Sequence, residues 1–140
     1  MLKKLILIIL MLLCGIQFVS CGKGSFSSFK SKFMNQYNVI VQDVFSNDVN
    51  DILKKLQSDE NAKILDNMSQ LLRDNNDLRK SHKKEYDKLQ DLYTGLTDLK
   101  NAYGNWESYD LDKQKYLNEQ ILSMNVYLSR LEYEENKDDN

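Results

Sequence analysis

From residue 26 onward this 140-residue chain reads as all-α: an elongated antiparallel, coiled-coil-like bundle of three long helices, or four if the central one breaks near Asn75. Three observations predict it. Proline is absent, and beyond Gly24 the only glycines are Gly95 and Gly104, so few residues interrupt a helix. Apolar residues recur at spacings of three and four, the period of one helix face. No segment alternates polar and apolar residues in the period-two pattern of a half-buried strand.

The first helical segment spans 26–56. Phe26, Phe29, Phe33, Tyr37, Ile40 and Val44 mark one face. The stripe then steps by one residue to Phe45, Val49, Ile52 and Leu56. Ser46, Asn47 and Asp48 lie at the step, and their short polar side chains can cap a new helix start. A kink or break is expected there. Gln57-Ser58-Asp59-Glu60 reads as a turn and N-cap, with acids placed to meet the positive end of a helix dipole.

The most regular pattern follows. Ile64, Met68, Leu71, Asn75, Leu78, His82, Glu85, Leu89, Leu92, Leu96, Leu99 and Tyr103 alternate spacings of four and three, a heptad seam. Its polar members, Asn75, His82 and Glu85, fall in the hydrophilic stretch 73–88. The register survives that stretch, which a loop would not need to preserve, so one continuous helix is expected. The alternative is a break at Asn75-Asn76. The seam is either internal core or a pairing face for a second copy, and a polar Asn75 in a seam can specify register.

Gly104 stands where a left-handed C-terminal cap belongs, residues 105–109 form the loop, and the last helix starts near Asp110 or Leu111. Leu117, Ile121, Met124, Leu128 and Leu131 give its stripe. Residues 132–140 form an acidic tail, expected to fray and be disordered.

Before the bundle the chain has another character. Lys3 and Lys4 precede an apolar run from Leu5 to Leu13, the pattern of a secretory signal peptide over 1–20. A retained transmembrane helix fits less well: residues 5–20, interrupted by Gln17, fall short of the roughly 20 residues a span needs. The run exits through Phe18-Val19-Ser20-Cys21. That motif resembles the lipobox of bacterial lipoproteins, with Phe18 where Leu is commoner. The resemblance covers only the first 21 residues. It implies diacylglyceryl transfer to the Cys21 thiol, cleavage between Ser20 and Cys21 by signal peptidase II, and in many bacteria acylation of the new amino terminus. Cys14 follows Leu13, too bulky for a cleavage site. Two or three acyl chains anchor stably where one does not. Cys21 is therefore read as a membrane anchor and residues 21–25 as a short lipidated tether. The plainer alternative is a secreted protein whose Cys21 stays free or pairs between chains.

Without Lys3 and Lys4, 17 of the 19 Lys and Arg residues remain against 21 Asp and Glu, a net charge of −4. Such a balance does not bind nucleic acid by bulk charge. Catalysis finds no matched set of groups. His82 is the only histidine, it sits among cations, and Ser81, adjacent in sequence, does not face it on a helix. His82 and Glu85 share a face, but two ligands make no metal site. The expectation is no enzyme, no metal and no cofactor.

Two features remain as candidate contacts. Arg79, Lys80, Lys83 and Lys84, with Lys88, form a basic cluster, read as a solvated helix face or as a contact for anionic lipid or wall polymer. Tyr103, Trp106, Tyr109 and Tyr116 form an aromatic set that either plugs the end of the bundle or contacts a protein partner. The functional expectation is a lipid-anchored, non-enzymatic lipoprotein on the exported side of the cell envelope. It would present a binding surface to a host molecule, a toxin or phage component, or an envelope machine. The alternative is a structural spacer or scaffold that organises the envelope through coiled-coil pairing.

Overall fold

The computed structural model describes residues 24–138; the expected signal peptide over 1–20, the motif at 18–21 and Cys21 itself lie outside the described residues. Those residues form five α-helices and no strand. They are α1 (Phe26–Val44), α2 (Val49–Lys55), α3 (Asp59–Asp74), α4 (Lys83–Asn101) and α5 (Leu111–Asp138). Short 3₁₀ turns occupy Asn76–Lys80 and Trp106–Ser108.

Local chemistry sets most of these boundaries. The Ser25 hydroxyl accepts from the Ser28 amide, Asp48 Oδ1 from Asn50, Ser58 Oγ from Asn61 and Asp110 Oδ1 from Lys113. Each satisfies an amide that the first helical turn leaves without a partner. The break at 45–48 thus falls at the step in the apolar stripe, with Asp48 as the cap. Gly104, at φ 75°, takes the left-handed conformation that lets the chain leave α4 and turn toward α5.

The core runs along α1. Phe29, Phe33, Tyr37, Ile40, Val41 and Val44 are each no more than 2% exposed, and fully burying such a side chain stabilises by roughly 1.5–3 kcal/mol. Packed on them are Leu65 and Met68 of α3, Tyr86, Leu89, Leu96 and Leu99 of α4, and Leu117, Ile121 and Met124 of α5.

Contacts fix the directions of the helices. Phe26 stacks on His82 and Phe29 on Tyr86, with ring centroids 4.3 and 5.6 Å apart, so the starts of α1 and α4 share one end of the molecule. Asn61 at the start of α3 donates to Asp43 near the end of α1, and Gln57 donates to the carbonyl of Lys100 at the end of α4. The far end therefore gathers α2, the start of α3 and the loop into α5. Helix α5 begins there, where Lys113 pairs with Asp98, and runs back until Tyr127 reaches Tyr37 and Asn38 of α1.

The continuous central helix expected from the heptad register is not formed. The chain ends α3 at Asp74, turns through 75–82 and returns as α4, and the Tyr86 hydroxyl donates to the Leu72 carbonyl across the turn. The physical reason is partner length. A helix over 59–101 would be about 64 Å long at 1.5 Å per residue, whereas α1 offers an apolar face of about 28 Å. Folding back lays both arms on that face, and the polar stretch 73–82 is where doing so costs least apolar contact. The Asn75 side chain, rather than specifying a seam, donates to the Leu71 carbonyl at the end of α3. Within each arm most of the seam still faces the core: Met68, Leu89, Leu96 and Leu99 are buried and Ile64, Leu71, Leu78 and Leu92 pack on it half-buried, whereas Glu85 and Tyr103 are exposed and Leu65 and Leu72, outside the seam, are buried. At the other terminus α5 continues to Asp138, past the residue at which the acidic tail was expected to end it.

Candidate functional site

The two candidate contacts occupy opposite ends. At the far end the aromatic set divides. Trp106, Tyr109 and Tyr116 are half-buried against the core. The loop that carries them is tied down by Gln114, whose Nε2 donates to the carbonyls of both Trp106 and Tyr109. The Tyr109 hydroxyl reaches the Asn101 carbonyl at 3.4 Å. Lys113 Nζ lies 4.8 Å from the centre of the Tyr116 ring, and burial, followed by a hydrogen bond to Asp98, raises the Tyr116 phenol above its usual range. These three close the open end of the bundle.

Tyr103 behaves differently. It is 50% exposed, and the same end carries two apolar residues outside the expected set, Phe45 at 51% and Leu111 at 83%. Leu111 is off the register that begins at Leu117, but Phe45 opens the second apolar stripe and was expected to face the core with Ile52 and Leu56; its exposure corrects that reading. Phe45 caps α1 with extended backbone, and its carbonyl accepts from Lys55 Nζ.

The basic cluster lies at the near end, around the 75–82 turn and the first turn of α4. Arg79 and Lys83 both bond Asp87, and Lys30 of α1 bonds Glu85. The Lys83 ammonium, and Arg79 after it, hold the Asp87 carboxyl below the usual carboxylate range. Lys80 and Lys84 are exposed and make no ion pair among the described residues.

His82 lies flat on Phe26, and the Ser81 hydroxyl donates to the Leu78 carbonyl. Among the described residues no three His, Cys, Asp or Glu side chains converge as a metal site, and no helix is long and apolar enough to cross a membrane.

No family model, curated protein or solved structure matches this chain. The functional reading therefore rests on the motif at Cys21 and on the chemistry of the two ends.

Proposed function

We propose that this chain is a lipid-anchored, non-enzymatic lipoprotein on the exported side of the cell envelope, whose bundle offers a protein-binding surface at the end remote from its anchor. The observation that carries this reading is the division of labour between the ends. Phe26, five residues after Cys21, belongs to the near end through its stack on His82. Of the exposed large apolar residues, Phe45, Tyr103 and Leu111 belong to the far end, about one α1 length, or 28 Å, away, while Val39 of α1 and Leu122 and Val126 of α5 lie along the sides. Aromatic residues that keep a polar tip in water are favoured in protein contacts, and Tyr103 is the one of the aromatic set that remains available.

Coiled-coil scaffolding through the 64–103 seam has less support, since Met68, Leu89, Leu96 and Leu99 are buried within the chain itself. The test is photo-crosslinking in the native cell from a photoreactive residue at position 103, followed by mass spectrometry of the adducts. One discrete foreign or envelope protein is expected. Adducts to the chain itself alone would transfer the reading to a self-assembling scaffold, and the absence of any adduct would reject this end as a contact.

A further inference from the structure

We infer that the near end of the bundle, the 75–84 turn, is a membrane-facing surface whose lysines rest on the anionic headgroups of the bilayer that holds Cys21; this rests on the lipid-anchor reading above. Two independent features meet at that end.

The first is reach. Cys21 precedes Phe26 by five residues, and five extended residues span at most about 18 Å. Phe26 is itself packed face to face on His82, its ring plane 17° from parallel. The basic turn therefore cannot leave the neighbourhood of the bilayer while the anchor is inserted.

The second is charge. Residues 76–84 hold Arg79, Lys80, Lys83 and Lys84 against the single acid Asp77, although the acidic last turns of α5, with Glu132, Glu134 and Glu135, run back along α1 toward the same end. Asp87 is already engaged by Arg79 and Lys83, and Glu85 by Lys30. Lys80 and Lys84 project into solvent, and an open groove of about 360 Å³ beside them is lined by Asn76, Arg79, Lys80 and Lys83.

Attraction between such a cluster and an anionic leaflet decays over a Debye length, about 8 Å at physiological ionic strength. A free protein with a net charge of −4 would gain little from it. A tether of at most about 18 Å instead holds the cluster within roughly two such lengths. The far end is less favoured there, because its acids, Asp48, Asp51, Asp59, Glu60, Asp98, Glu107, Asp110 and Asp112, outnumber its lysines, Lys54, Lys55, Lys63, Lys100, Lys113 and Lys115. Orientation follows: α1, α3 and α4 stand away from the bilayer, and Phe45, Tyr103 and Leu111 point outward.

The test uses the full chain, processed in its own cell, extracted and reconstituted in vesicles of phosphatidylcholine alone or with phosphatidylglycerol. A water-soluble acetylating reagent then marks lysines, read peptide by peptide by mass spectrometry. Lys80 and Lys84 should react at least about fivefold more slowly on the anionic vesicles. Lys63 and Lys115 of the far end should react equally on both. Protection should vanish in about 1 M salt, where screening is complete within about 3 Å. In a Lys80→Glu/Lys84→Glu variant, checked for intact helicity, Lys83 should lose its protection as well.

Equal labelling of both ends on anionic vesicles, with Cys21 acylated, overturns this inference and leaves the anchor standing. Protection in whole cells without protection on vesicles would assign the cations to wall polymer and overturn it too. An unacylated Cys21 in the starting material would remove the anchor and this surface with it.

Discussion

Tyr37 lies midway along the buried face of α1, 2% exposed, with the Tyr127 ring edge-on at 5.2 Å. Burial, and after it the Tyr127 phenol, push its hydroxyl up to about 12 from 10. A native pKa above the unfolded one means that the folded state keeps its proton longer. The associated stability is complete below about pH 10 and is lost as pH rises through about 12; two units correspond to roughly 2–3 kcal/mol. Urea unfolding between about pH 9 and 12 should therefore show a steep alkaline loss of stability that Tyr37→Phe flattens. An unchanged alkaline limb would mean that this phenol is solvated. Asn61 is the other residue that decides something alone. It is 1% exposed, and its Nδ2 donates to Asp43 Oδ2 at 2.7 Å and to the Lys55 carbonyl at 3.0 Å, joining α1, α2 and α3. Asn61→Ala leaves a carboxylate and a carbonyl without their donor, and chemical denaturation should show a loss of about 1–3 kcal/mol. Asn61 lay on no apolar stripe, so periodicity gave no sign that it was buried.

At the scale of elements, the sequence was most informative where structure is local. The caps at Ser58 and Asp48, the break at 45–48 and the turn at Gly104 are each decided by one side chain or one backbone conformation within four residues. The stripes of α1 and α5 were legible because each helix buries a single face on a single core. The 75–82 reversal was legible only as the less favoured alternative, a break at Asn75-Asn76, because a heptad register describes one helix and says nothing about the length of its partner. Spin labels at Lys63 and Lys100 measure this directly. The Gln57–Lys100 contact brings the ends of α3 and α4 together, so a separation within about 25 Å is expected, against about 56 Å for the continuous helix. The approach of α4 to α5 has its own probe. A Cβ on Gly95 would lie 2.4 Å from Gln120 Oε1, the far end of a flexible side chain. Gly95→Ala should therefore stay within about 1 kcal/mol of the parent, since Gln120 can swing aside and alanine favours the helix. Gly95→Leu must separate the two helices and should cost more than about 2 kcal/mol by thermal or urea unfolding.

For the molecule as a whole, architecture and function were legible to different degrees. The helical class follows from composition and period alone. The aromatic cluster was visible as four residues, yet only Tyr103 stays available, because whether a tyrosine plugs or projects depends on which helix end it meets. That Phe45 and Leu111 are exposed at the same end follows only from the fold. The basic cluster was visible too, but its position beside the start of α1 required the fold, and the proposed membrane contact rests on that position. Everything about orientation then depends on the anchor. Its most direct test is the mass of the amino-terminal tryptic peptide from membrane-extracted protein. The account predicts a peptide that begins at Cys21, ends at Lys23 and carries a diacylglyceryl group on the thiol, with residues 1–20 gone. A peptide that begins upstream of Cys21, or a Cys21 with a free thiol, would contradict it.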